Sequence, residues 1–120
     1  MMVSIMIVDD DVFLHEILER LQGLGGHAVT EHAFNGAEAL QRYVTLNPKP
    51  DIVLMNHRMP VMNGVAATQE CKEMNPDTVV VFISADDSVK QRAMKFGALG
   101  FMTKPTQSKN HFEEIGRYTK

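Results

Sequence analysis

The sequence predicts a parallel α/β domain in which five strands alternate with five helices. Three observations carry that prediction. Short apolar runs of strand length recur along the chain, apolar residues at helical spacing fall between them, and Gly or Pro marks most junctions. Val3 to Val8 (VSIMIV) is apolar and stops at three aspartates, as a buried parallel strand should. Leu14, Ile17, Leu18, Leu21 and Leu24 follow at the spacing of one helix face, and Gly23, Gly25 and Gly26 end it. His27 to Ala33 reads as a more polar strand near an edge. Asn35 is placed to cap the next helix, with Glu38 completing a capping box. Ala37, Leu40 and Val44 form that helix's expected buried stripe, and Pro48 and Pro50 mark its exit.

Asp51 to Met55 (DIVLM) is the third strand. A loop holding Pro60, Asn63 and Gly64 leads to a helix whose inner face is read as Ala67, Cys71 and Met74. Asn75, Pro76 and Asp77 form a turn before Thr78 to Ile83, the most continuous β-branched run in the chain. Val89, Ala93 and Phe96 mark a fourth helix, stopped by Gly97. Leu99 to Met102 is a short fifth strand, and Phe112 and Ile115 anchor a final helix. Helical crossovers between parallel strands are right-handed.

The length of 120 residues fits a single domain, 1–120, with enough chain for one core. Apolar residues at 44% and charged residues at 22% exclude a disordered chain. A formal charge of −3 argues against a dedicated nucleic-acid binder. No apolar run approaches the ~20 residues of a membrane span, and Met1 to Val8 lacks the basic start of a signal peptide. The single Cys71 excludes an intrachain disulfide, so a cytoplasmic setting is expected. His15, His27, His32, His57 and His111 share no zinc-like spacing and are read mostly as surface residues, with His57 beside the pocket. Met6, Met55 and Met102 are read as core, Met59 and Met62 as exposed contacts near the pocket, and Cys71 as buried.

Ligands of such sheets bind at the carboxyl ends of the strands, where the strand order reverses. Asp9 and Asp10 end the first strand, Asn56 the third, Ser84 the fourth, and Thr103 and Lys104 the fifth. Any one of these is ordinary at a strand end. Together they describe a pocket. Paired carboxylates with an amide oxygen suit Mg²⁺, and an ammonium with a hydroxyl suits phosphoryl oxygens.

The motifs IVDDD (Ile7 to Asp11), DIVLMNHRMPVMNG (Asp51 to Gly64), FISA (Phe82 to Ala85) and GFMTKP (Gly100 to Pro105) carry a resemblance. Through them the whole chain resembles the receiver domains of two-component response regulators. The resemblance implies a (βα)5 flavodoxin-like, doubly wound parallel sheet with strand order 2-1-3-4-5. It assigns Asp9 and Asp10 to the metal-binding acid pair and position 56 to the phosphoacceptor. The backbone carbonyl of Arg58 becomes a further metal ligand. Ser84 matches the hydroxyl that bonds the phosphoryl group, Lys104 the lysine that pairs with it, and Phe101 the switch aromatic. It also implies a cis Lys104–Pro105 bond. The implied partners are a histidine kinase or phosphotransfer protein, and an effector docking on the face of the fourth helix, fifth strand and final helix. Neither nucleic acid nor membrane is implied.

The family carries Asp where this chain carries Asn56. A neutral amide oxygen is a poor nucleophile, so no acyl phosphate is expected and Mg²⁺ binding should be weakened. An engineered Asp-to-Asn variant and a receiver-like domain that signals without phosphate both fit. Without an acceptor, Phe101 is expected to face outward, with Ser84 away from position 56. Two other classes stay open. A haloacid-dehalogenase-like phosphatase would use Asp9 and Asp11 as its D-x-D pair, though Asp86 and Asp87 precede Lys104 where that family needs later acids. A phosphate-independent protein-binding module would use the surface around Phe101.

Overall fold

The computed structural model describes residues 3–104. The elements run β1 (Ser4–Val8), α1 (Val12–Leu24), β2 (Ala28–Ala33), α2 (Gly36–Thr45), β3 (Ile52–Met55), α3 (Gly64–Met74), β4 (Val80–Ser84), α4 (Lys90–Lys95) and β5 (Gly100–Thr103). A single 3₁₀ turn, Asp87–Val89, precedes α4. The strands form one sheet in the order β2-β1-β3-β4-β5, and every pairing is parallel. This is the expected order. The expected final helix with Phe112 and Ile115, together with His111 and the Lys104–Pro105 bond, falls outside the described residues.

The sheet is apolar on both faces, which is why its central strands read as unbroken hydrophobic runs. Met6, Val8, Val53, Met55, Val80 and Phe82 face one core, which Ala39 and Tyr43 of α2, Val65, Ala67 and Cys71 of α3 and Ala93 of α4 complete. Ile5, Ile7, Ile52, Leu54, Val81, Ile83 and Met102 face the other, where α1 contributes Leu18. β2 is the half-exposed strand, consistent with its edge position.

Several helices turn a different stripe to the sheet from the one their apolar spacing suggests. In α1 the buried line is His15, Leu18 and Gln22, while Ile17 is exposed and Leu24 is 79% exposed. In α2 the line is Ala39 and Tyr43, with Leu40 half-buried and Val44 exposed; in α3, Met74 is exposed beside buried Ala67 and Cys71. Periodicity fixes the spacing of a stripe but not which neighbouring stripe meets the sheet. A polar residue with a local partner can take the inner place. His15 does so because its Nε2 bonds the Asp9 carbonyl oxygen at 2.7 Å and its Nδ1 lies 2.7 Å from His32 Nδ1. His15 and His57 are therefore buried, not surface residues, and Met59 and Met62 are half-buried against the core.

Local signals account for several boundaries. Asn35 Oδ1 accepts from the Glu38 amide at 2.8 Å, whereas the Glu38 carboxylate meets Arg42 one turn on instead of closing the expected box. β4 starts at Val80 rather than Thr78 because the Thr78 amide and hydroxyl both donate to the Asn75 carbonyl, prolonging the turn. The Tyr43 hydroxyl, buried, is satisfied by Thr78 Oγ1 at 2.6 Å.

Phe82 is fully buried in the central strand β4. Phe82→Ala should lower unfolding stability by about 3–5 kcal/mol, while Phe13→Ala on the exposed side of α1 should cost less than about 0.5 kcal/mol. Urea denaturation of both variants checks this; equal losses would contradict the packing described.

Candidate functional site

Hydrogen bonds of the strand ladders continue past the strand ends and fix the backbone of the rim residues. The Asp9 amide donates to the Ala33 carbonyl (3.1 Å), the Asn56 amide to Val8 (2.9 Å) and the Lys104 amide to Ser84 (2.8 Å). The chain passes from β1 outward to β2 and returns across to β3, so the ends of β1 and β3 flank the reversal point. Asp9, Asp10 and Asn56 sit there.

Asn56 is the hub of the polar net. Its Nδ2 donates to the Arg58 carbonyl oxygen at 2.9 Å and, more weakly, to Asp10 Oδ1 at 3.4 Å. Its Oδ1 faces Lys104 Nζ at 3.4 Å. Lys104 Nζ is 2.7 Å from Asp9 Oδ2, and Asp9 Oδ1 accepts from the Asp11 amide at 2.9 Å. Asp9 is buried and Asp10 exposed. Asp11 turns away, its carboxylate capping α1 through the Phe13 and Leu14 amides. The D-x-D pair of the phosphatase reading is thus not assembled, because Asp11 serves the helix.

An open cleft of about 340 Å³ lies beside this net, lined by Asn56, Arg58, Ser84, Ala85, Asp86 and Lys104. Ser84 is buried, and its Oγ accepts from the Asp86 amide at 3.1 Å. Phe101 is half-buried beside Phe82, the ring centroids 6.2 Å apart, so it is neither fully outward as expected nor buried. Phe82 and the adjoining core hold it. Thr103 Oγ1 donates to Asp87 Oδ1 at 2.7 Å. Burial, Arg92 and Arg58 push the His57 pKa below its usual value, so the imidazole is neutral near pH 7. Burial pushes the Cys71 thiol up to about 11, which leaves it unreactive.

The loop between β3 and α3 is tightly held. Val61 has φ of 69°, a left-handed conformation that strains a β-branched residue. Gly64 opens α3 hard against the backbone: a Cβ there would lie 2.1 Å from the Asn56 carbonyl oxygen. Only glycine fits. Asn63 caps α3 by accepting from the Ala66 amide, as a helix start should.

Sequence reasoning brought together Asp9, Asp10, Asn56, the Arg58 carbonyl, Ser84 and Lys104, and the structure gathers all of them. It missed two pairs. His15 and His32 brace the Asp9 carbonyl; the signal was His15 sitting three residues before Leu18 on the inner line of α1. The Arg58 guanidinium reaches Asp86 Oδ2 at 2.7 Å, bridging the loops after β3 and β4. No sequence pattern pairs residues on separate loops.

Asp86 is held at about 2 by its Ser88 side-chain hydrogen bond, the Arg58 hydrogen bond and the Ser88 amide. Since its folded value lies below the usual 3.8, its favourable interactions are complete above that value and are lost as pH falls toward 2. Carboxyl-carbon NMR titration should give a midpoint near 2 for Asp86. Ser88→Ala should raise it most and Arg58→Ala less. An unchanged midpoint in Arg58→Ala would show that the bridge is not held in solution.

The sequence and the fold have counterparts in known proteins. Residues 5–115 match the family model described as the response regulator receiver domain. A chemotaxis protein CheY of Thermotoga maritima is 35% identical over 118 residues, covering 97% of each chain. The positive alginate biosynthesis regulatory protein of Pseudomonas aeruginosa is 37% identical over 114 residues, which is 93% of this chain and 45% of that protein. Among solved structures, a chain of the CheX-CheY-BeF3-Mg+2 complex of Borrelia burgdorferi superposes with a TM-score of 0.90 at 26% identity, over 96% of this chain and 87% of that one. A parallel sheet in the order 2-1-3-4-5, an acid pair, a hydroxyl and a lysine on one rim, and a family match along most of the sequence lead to one conclusion: the chain belongs to the response regulator receiver domain family of two-component signalling.

Proposed function

We propose that this receiver works without forming a phosphoryl adduct. The observation that carries the reading is the amide at position 56, which stands at the centre of the polar net, with Lys104 on one side and Asp10 on the other. In a receiver the acceptor carboxylate attacks phosphorus, a new O–P bond forms, and the bond to the donor breaks. The amide oxygen of Asn56 carries no charge to drive that attack, and its nitrogen lone pair is delocalised.

The other residues support the receiver reading in the same terms. Lys104 is aimed at position 56 by its ion pair with Asp9. Ser84 and Phe101 are read as the hydroxyl and aromatic of the switch; here the Ser84 Oγ is engaged by the Asp86 amide, and Phe101 lies on Phe82. The chain acts as a signalling module and not as an enzyme, with a histidine kinase or phosphotransfer protein as its upstream partner. Its effector face is α4 and β5. No described helix is long and apolar enough to cross a membrane, in keeping with a cytoplasmic setting. Receiver domains typically bind Mg²⁺. Here Asp9, Asp10 and the Arg58 carbonyl supply hard oxygens of the right kind, but position 56 turns its amide nitrogen, not an oxygen, toward Asp10 and Arg58. The residues present therefore fit the cation poorly.

Incubation with Mg²⁺ and acetyl phosphate should add no phosphoryl group to Asn56, read by intact-mass and peptide mass spectrometry. Asn56→Asp should label, and a further Lys104→Ala in that background should still label while losing the response. Phosphate on Asn56 of the unaltered chain would overturn the reading. Failure of Asn56→Asp to label would show that more than the acceptor is missing.

A further inference from the structure

We infer that the Asn56 amide takes the place of the divalent cation, so that the site is complete without metal. The inference rests on the receiver reading and deepens it.

Consider the hydrogen bonds around position 56 as a closed set. Asp10 Oδ1 and the Arg58 carbonyl oxygen are among the oxygens that would hold a cation here. Here both receive hydrogens from one group, Asn56 Nδ2, at 3.4 and 2.9 Å. The two amide hydrogens diverge, so a single planar NH₂ can serve two acceptors at once. The partial positive charge of that group lies where the acceptors need positive charge. Asp9 is satisfied separately, by Lys104 Nζ on one oxygen and the Asp11 amide on the other. Asp9 and Asp10 thus each have a donor supplied by the protein.

The orientation of the amide is dictated by its neighbours. With Nδ2 toward Asp10 and Arg58, Oδ1 faces the Lys104 ammonium at 3.4 Å. Flipped, the oxygen would face a carboxylate and a carbonyl, and the NH₂ would face an ammonium; all three contacts would be repulsive. An aspartate escapes this conflict because it has two equivalent oxygens, one for a cation and one for the lysine. An asparagine has one. To offer Oδ1 to a metal, Asn56 must break its bond to Arg58 and point its hydrogens at Lys104. Binding the cation therefore costs the site all three existing contacts. The same exchange explains how the acid pair is kept without its third carboxylate: Lys104 neutralises Asp9, and the amide takes the load at Asp10.

The test is a magnesium titration of the intact chain, followed by ¹H–¹⁵N NMR that includes the Asn56 side-chain NH₂, and by calorimetry. If the amide stands in for the cation, Asn56→Ala removes an obstacle and should bind Mg²⁺ at least as tightly as the unaltered chain. If Asn56 is instead a ligand, Asn56→Ala loses an oxygen and binds more weakly, which would overturn the inference. Asn56→Asp should bind at least about tenfold tighter than the unaltered chain. Should Asn56→Ala fail to fold, the unaltered chain decides alone. Its Asn56 NH₂ resonances should hold their positions as Mg²⁺ is added; a saturable shift from flipping onto the metal would overturn the inference. No Mg²⁺ binding by Asn56→Asp would overturn it as well, since there would be no cation site to occupy. The labelling experiment above reports separately on the receiver reading.

Discussion

The ion pair between Lys104 and Asp9 joins residues 95 positions apart at a distance of 2.7 Å, and the rest of the site is arranged around it. It exists only because β1 and β5, two strands apart from one another across β3 and β4, run in the same direction and end at the same rim. Both groups are largely removed from water, and deleting one partner of such a pair leaves a buried charge at a cost of about 3–5 kcal/mol. The pair also sets the direction of the lysine, which in turn sets the orientation of the Asn56 amide. A chain of electrostatic choices thus begins at one contact.

Around that contact the backbone leaves little freedom. Gly64 brings the start of α3 against the Asn56 carbonyl, and the Gly64 amide donates to the His57 carbonyl at 2.9 Å. The strained Val61 lies between them and the capped end at Asn63. Strain of about 1–3 kcal/mol persists only where surrounding contacts over-determine the conformation, and here helix cap, ladder bond and close approach do so together. On the opposite side His15 and His32 brace the Asp9 carbonyl. Asn56 and the neighbouring Asp9 are thus each fixed by backbone contacts.

The cleft mouth shows a different kind of control. Arg58 contributes its carbonyl to the inner net and its guanidinium to Asp86 on the facing loop. One residue therefore ties the amide hub to the loop that carries the Ser84 hydroxyl's partner. That loop and position 56 thus share Arg58 as a common contact, although the guanidinium itself is exposed and its ion pair is screened.

Much of this was legible in the sequence because strand signals are strong and the rim residues directly follow them. Apolar runs ending at Asp9, Asn56, Ser84 and Lys104 define the strands and their carboxyl ends at once, and a parallel sheet then has only one rim to put them on. The amide at position 56 is legible from the sequence alone, since it is the functional group of a single residue. Stripes such as Leu14–Leu24 and Ala37–Val44 were placed less well. Helical spacing is shared by adjacent stripes, and the inner one is selected by contact with the sheet, which admitted His15 and Tyr43 and left Leu24 and Val44 outside. The hydrogen-bond directions of Asn56, the Arg58–Asp86 bridge and the stacking of Phe101 on Phe82 depend on distances between separate strands and loops. Sequence determined which groups reach the rim; only the packed sheet decided which atom of each faces which neighbour, because that is settled by ångström-scale competition among charges that are remote along the chain.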